Sequence, residues 1–239
     1  MIKYGVWVNR HEWCTLKHCI RANSSKTLIR SIRPNTEFVF VGDSTQLMFA
    51  KAAYSILNTP PPKYNANVVI RRPNNITFRY MKTTTNFTFV TPNTVLILNE
   101  GAHYKTIPEY AKMMYNLSES LPKNIPIFWR HTLPGFPACE KFPQQPLSVP
   151  NYTTWNHYSV YMKNFNWHMF PFFNTVAEQF LASKNVQILD FSYMTSLRPD
   201  AYTRIRYAGG TLPPDCLHMD PYMLPSVWLS ILLWHVIYY

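Results

Sequence analysis

Three observations in the sequence predict an α/β fold with a mainly parallel sheet. Five short runs read as strands. Helix-like stretches fall between them in alternation. Several of the strand runs are continuously apolar and rich in Val, Ile and Phe. Alternating strand and helix joins parallel neighbours by crossovers. Continuous apolar runs suit strands covered on both faces.

The first strand is Glu37–Val41, with Phe38-Val39-Phe40-Val41 at its heart. Gly42-Asp43 then leads into a helix-like stretch, Ser44–Leu57. The remaining strands are Ile76–Tyr80, Thr94–Leu98, Ile125–Trp129 and Val186–Asp190, and the remaining helix-like stretches are Pro108–Leu121 and Phe172–Ser183. The run from Met223 to Tyr239 is strongly apolar but interrupted by Pro225, Ser226 and His235. A membrane span needs about 20 apolar residues, so this run is read as a core helix packed on the sheet.

The chain has 239 residues with 20 prolines and only 6 glycines. No linker or repeat divides it, so one domain is expected over 37–239, with 1–36 as an N-terminal extension packed against it. The 23 basic and 12 acidic residues give a formal charge of +11. The excess suits a soluble basic surface or an anionic partner. Its densest region, Lys63, Arg71, Arg72, Arg79 and Lys82, is not a continuous tract. With no basic-aromatic motif of the usual modules, nucleic acid is not an expected partner.

Two signals point to the secretory pathway, meaning the Golgi lumen or the outside of the cell. Five Asn-x-Ser/Thr sequons occur, at Asn23, Asn75, Asn86, Asn116 and Asn151. The 4 cysteines, Cys14, Cys19, Cys139 and Cys216, are an even number, as two disulfides require. Zinc on Cys14 and Cys19 with His11 and His18 is the competing reading. No second ligand pair has suitable spacing, so no metal or other cofactor is expected. Met1 to Glu12 carries no apolar leader. The secretory reading therefore expects the leader, and any membrane anchor, to lie outside this chain.

Two short motifs carry chemistry. Gly42-Asp43-Ser44 follows the first strand directly, which places Ser44 like a nucleophile. Asp215-Cys216-Leu217-His218 lies between the last strand and the closing helix. An Asp three residues before a His can orient it within one turn, so that it takes the serine proton. A Ser-His-Asp triad is recognised by roles rather than chain order. The bland alternatives are a helix N-cap for Ser44 and a surface imidazole for His218. Asp220 is a rival partner for His218. Asn99 and Arg130 also fall at carboxyl ends of predicted strands, where such sheets bind ligands.

In this order the residues resemble the PC-esterase, or trichome-birefringence-like, branch of the GDSL/SGNH hydrolases. Phe40-Val41-Gly42-Asp43-Ser44 looks like the first block, and Asn75 to Tyr80 like the second conserved strand. Leu98-Asn99-Glu100-Gly101-Ala102-His103-Tyr104 is similar to the Asn-x-Gly-His-Trp block. Phe128-Trp129-Arg130 resembles the apolar-Arg block. Ile188 to Met194, Leu197 to Ala201 and Asp215 to His218 resemble the C-terminal block, with Trp228 and Leu232-Leu233 on the closing helix. The similarity spans roughly residues 37–236. Thr45-Gln46-Leu47-Met48 lacks the basic residue usual after the serine, Ala102 is an extra residue, and Met219-Asp220-Pro221-Tyr222 replaces the usual segment after the His.

The resemblance implies a flavodoxin-like SGNH three-layer sandwich. It implies Ser44 as nucleophile, His218 as general base and Asp215 as its orienting partner, with Asp43 mostly structural. It suggests Asn99 and the Ser44 N–H as oxyanion donors, Arg130 as a substrate-binding or site-supporting residue, and a Cys139–Cys216 disulfide. The implied function is acetyl transfer to, or ester hydrolysis on, carbohydrate hydroxyls, by an O-acetyltransferase or acetylesterase with a carbohydrate acceptor and an unknown acyl donor. The alternative class is a non-catalytic extracellular glycan-binding protein that keeps the fold.

Overall fold

The computed structural model describes residues 6–9, 12–14, 19–21, 24–56, 70–71, 75–133, 135–136, 139–142, 145–147, 166–203 and 215–238. His11, His18, Asn23, Leu57, Lys63, Arg72 and Asn151 lie outside them. Nine strands are present among these residues. β1 (Val6–Asn9), β2 (Glu12–Cys14) and β3 (Cys19–Arg21) form an antiparallel sheet. The second sheet contains β4 (Glu37–Gly42), β5 (Ile70–Arg71), β6 (Thr77–Met81), β7 (Thr94–Asn99), β8 (Ile127–Arg130) and β9 (Val186–Leu189). Its order is β5-β6-β4-β7-β8-β9. All neighbours from β6 to β9 are parallel, and only the edge strand β5 is antiparallel.

The five parallel strands match the five expected runs to within two residues at each end. Taken in chain order, their spatial order is 2-1-3-4-5, consistent with a flavodoxin-like fold. The chain reverses its direction of growth between β4 and β7. Open α/β sheets bind their ligands outside the C-terminal ends of the strands at such a switch point.

Helices flank the sheet: α1 (Ser24–Leu28), α2 (Ser44–Ile56), α3 (Ile107–Ser120), α4 (Phe170–Leu181), α5 (Ser192–Ser196) and α6 (Leu224–Tyr238). On one face, Phe40 meets Phe49 of α2, which in turn meets Trp228 of α6. Helices α3 and α4 pack on each other through stacked Tyr110 and Phe173. All six residues of β7 are buried, as an apolar strand covered on both sides requires. Helix α6 is the expected core helix. Leu224 to Leu233 are buried without interruption, and a helix apolar all round belongs inside a protein. No helix among the described residues is long and apolar enough to cross a membrane.

The N-terminal sheet packs on the domain through aromatic contacts. The Trp7 indole N–H donates to the Met194 carbonyl at 3.0 Å, and the Arg198 guanidinium lies 4.3 Å from the centre of the Trp7 ring. Arg198 is itself paired with buried Asp200 through two contacts of 2.8 and 3.0 Å. The charge is thus satisfied on one side by a carboxylate and on the other by an aromatic face.

Two disulfides are formed. Cys14–Cys19 closes the β2–β3 hairpin. Cys139–Cys216 spans 77 residues of sequence. Both fit an oxidising environment. The longer one ties the Asp215–His218 segment to the residues after β8. The Phe136 N–H donates to the Cys216 carbonyl at 2.8 Å, reinforcing the same junction. Closing a loop of this size stabilises by about 4–5 kcal/mol in the chain-entropy model. Cys139→Ser/Cys216→Ser should therefore lower the free energy of unfolding by several kcal/mol in urea titrations. A loss under about 1 kcal/mol would mean the bridge constrains little.

Candidate active site

The nucleophile turn is set by a close approach of two strands. Gly42 pairs with Asn99 across β4 and β7. A Cβ on Gly42 would lie 2.0 Å from the Asn99 carbonyl oxygen, so only glycine lets the strands come this near. Asp43 then caps the start of α2. Its Oδ1 accepts from the Thr45 N–H at 2.8 Å and its Oδ2 from the Ala102 N–H at 3.2 Å. From beneath, the Tyr80 hydroxyl donates to the Gly42 carbonyl at 3.1 Å. Ser44 is thereby fixed as the first residue of α2, at the carboxyl end of β4.

The Asp215–His218 segment reaches this turn from the other end of the chain. Asp215 Oδ1 accepts the N–H groups of Leu217 and His218, each at 3.0 Å. These bonds fold the four residues into a tight turn that returns the imidazole over its own carboxylate. The His218 Nδ1 lies 2.8 Å from Asp215 Oδ2, and its Nε2 lies 2.8 Å from Ser44 Oγ. The segment is anchored on both sides: Thr203 N–H donates to the His218 carbonyl, and Asp220 N–H to that of Ala201. Burial alone would raise the Asp215 carboxyl. Its hydrogen bonds and the His218 imidazole prevail and lower it to about 2. The group is a carboxylate at any ordinary pH.

The structure therefore brings together Ser44, His218 and Asp215, which are 174 and 3 residues apart along the chain. A carboxylate on Nδ1 keeps the Nδ1–H tautomer and leaves Nε2 free to accept the serine proton. Asp220 is not part of the relay. Its Oδ1 accepts the Tyr222 N–H at 2.9 Å in a local turn.

Asn99 and Arg130 are both at the site, and of the two roles open to Arg130 the site-supporting one is what its contacts serve. The Asn99 Nδ2 donates to the Arg130 carbonyl and to Thr132 Oγ1, both at 3.0 Å. Its Oδ1 accepts from Arg130 Nη2 at 2.6 Å. Both amide hydrogens are thus committed inside the protein, and Asn99 presents no donor to an oxyanion. Arg130, 1% exposed, is likewise engaged within the protein. Its Nε donates to Gln46 Oε1 at 2.9 Å, its Nη2 to Thr45 Oγ1 at 2.8 Å and its Nη1 to the His131 carbonyl at 3.0 Å. The guanidinium also faces Trp228 at 5.6 Å. Burial lowers it to about 10, against the pull of Asp43, so the group is a cation at neutral pH. The buried cation grips the two residues after the nucleophile and fixes the orientation of α2.

Sequence reasoning missed Thr45, Gln46, Tyr80, Thr132 and Glu100, which complete this support. Gln46 is a fully buried amide in the first turn of α2, donating to the Ile97 carbonyl at 2.9 Å. Glu100 is buried beside Asp43 and contacts the Thr83 hydroxyl. Desolvation first, and then the charge on Asp43, raise its carboxyl to about 9 despite the Gly101 N–H. It is a neutral acid at pH 7 and does not repel the carboxylate that caps the nucleophile turn. The one available signal was the presence of polar residues inside otherwise apolar stretches.

A small cleft is lined by Thr45 and Leu217, the chain neighbours of Ser44 and His218, with Met48, Arg130, Leu133, Met219 and Trp228. The chain matches no protein-family model and no curated protein.

Proposed function

We propose that this protein is a serine acyl-transfer enzyme of the SGNH hydrolase type. The observation that carries the reading is the unbroken relay from Ser44 through His218 to Asp215, with both contacts at 2.8 Å. Such a relay suits one chemistry. The Ser44 hydroxyl attacks an ester carbonyl while Nε2 takes its proton. The imidazolium, held by Asp215, then protonates the leaving alkoxide. An acyl-enzyme remains, and a hydroxyl or water deprotonated by Nε2 releases it.

The developing oxyanion needs a donor at the head of α2. The Ser44 N–H lies there, among the first-turn N–H groups that have no acceptor within the helix. The position of Ser44 at the switch point of a 2-1-3-4-5 sheet supports the same reading.

For the substrate, the resemblance to the PC-esterase branch favours an acetyl group on a carbohydrate hydroxyl. Transfer to a sugar and hydrolysis by water share the first half-reaction. The secretory placement is supported by the two disulfides and by exposed sequon asparagines at Asn75, Asn86 and Asn116.

The test is mass spectrometry after incubation with an activated acetyl ester. A single acetyl on the Ser44 peptide is expected, lost on addition of a competent acceptor or on standing in water. Acetylation confined to lysines, with Ser44 untouched, would remove the enzyme reading and leave the glycan-binding alternative.

A further inference from the structure

We infer that Asn75 carries an N-glycan whose first sugars lie in a polar cleft of this protein's own surface. The cleft is at the opposite end of the sheet from Ser44. It is lined by Asn35, Glu37, Asn75, Thr77, Thr91 and Asn93 and offers about 330 Å³ in a shallow, solvent-open site. These six residues lead into or begin three adjacent strands, β4, β6 and β7. Every one carries a hydroxyl, carboxamide or carboxylate, the groups that hydrogen-bond sugar hydroxyls. A cleft with this lining does not attract an apolar segment.

The sequon Asn75-Ile76-Thr77 places its acceptor residue on the wall of that cleft, together with its threonine. Asn75 is exposed, with φ 56°, and its Nδ2 donates to Asn35 Oδ1 at 3.1 Å. Asn35 faces it from a matching left-handed position, φ 63°. Glycosylation replaces one hydrogen of Nδ2 and keeps the other. The retained N–H can stay on Asn35, which fixes the plane of the amide and so the direction in which the sugar leaves. Asn93 stands across the cleft, and its carboxamide makes no hydrogen bond among the described residues. Glu37 is held at 2.6 Å by Arg79, so its charge is already balanced.

The other exposed sequons differ. Asn86 uses its Oδ1 in a turn to the Thr88 N–H, and Asn116 lies on the outer side of α3. Neither lines the Asn75 cleft. The six residues of β4 put about 20 Å between the Asn75 cleft and the nucleophile turn. The inference stands apart from the acyl-transfer reading and shares with it only the secretory placement.

The experiment uses protein secreted from a glycosylating host. Glycopeptide mapping gives occupancy, and timed endoglycosidase digestion of the native protein gives release at each site. Asn75 should be occupied and released at least about tenfold more slowly than Asn86 and Asn116, as when a few hydrogen bonds must break before the enzyme gains access. After denaturation the three rates should converge. Asn93→Ala should speed release at Asn75 and leave the other two sites unchanged. An unoccupied Asn75, or equal native rates at all three sites, overturns the inference. Slow release that Asn93→Ala leaves untouched also overturns it, because protection would then come from the neighbourhood of Asn75 alone.

Discussion

Ser44→Ala and His218→Ala should each reduce hydrolysis of a small acetyl ester by roughly 10⁴–10⁶-fold while leaving the protein folded. The size follows from the way the relay works. Without Oγ there is no acyl-enzyme, and without the imidazole the hydroxyl keeps its proton. The two groups act as one unit, so the double variant should be little worse than either single. Folding should survive because the turn does not depend on the Ser44 side chain. Asp43, Thr45, Gln46 and Arg130 carry the hydrogen bonds that hold it. Circular dichroism and urea midpoints separate loss of chemistry from loss of structure. A folded Ser44→Ala protein with most of its activity would remove Ser44 from the mechanism.

The fold was legible because its signals are local. Strand β4 announces itself by four consecutive apolar residues, and α2 begins within two residues of the glycine that ends that strand. Alternation did the rest, since parallel strands must be joined by crossovers. The N-terminal sheet was not legible. Its strands are three or four residues long, and what holds them is the contact of Trp7 with Met194 and Arg198, far along the chain. Periodicity cannot reveal a strand that short.

The site divides in the same way. Asp215 and His218 are three residues apart, so their pairing is written in the sequence. Asn99 and Arg130 were found as residues at strand ends, but their roles depend on which atoms face each other. A terminal amide can donate to an oxyanion or brace a guanidinium, and only the positions of Thr132, Thr45 and Gln46 decide. Buried polar networks need every member satisfied, and that accounting is spatial. The Cys139–Cys216 pairing came from the resemblance, and the structure makes that bond.

Asp215→Asn should lower the rate by about 10⁴-fold, and Asp220→Asn should leave it nearly unchanged. The asparagine can keep its Oδ1 on the N–H groups of Leu217 and His218, so the turn persists. Its NH₂ then replaces Oδ2 and donates to His218 Nδ1. The ring proton is forced onto Nε2, which faces Ser44 and can no longer accept. Asp220 is different in kind, since it caps only the Tyr222 N–H and asparagine can do the same. The pH dependence of stability gives a second, independent reading of Asp215. Its carboxyl is held at about 2 in the folded protein, below the ~3.9 of an unfolded chain. A depressed folded value contributes stability that is complete above the unfolded value and is lost as pH falls through the folded one. Wild type should therefore exceed Asp215→Asn in stability at pH 7, and the difference should close between about pH 4 and pH 2. Urea titrations at pH 7, 4 and 2.5 measure this without any substrate. If Asp220→Asn were the damaging change, or if the stability gap stayed constant with pH, His218 would have to be oriented by a group other than the Asp215 carboxylate.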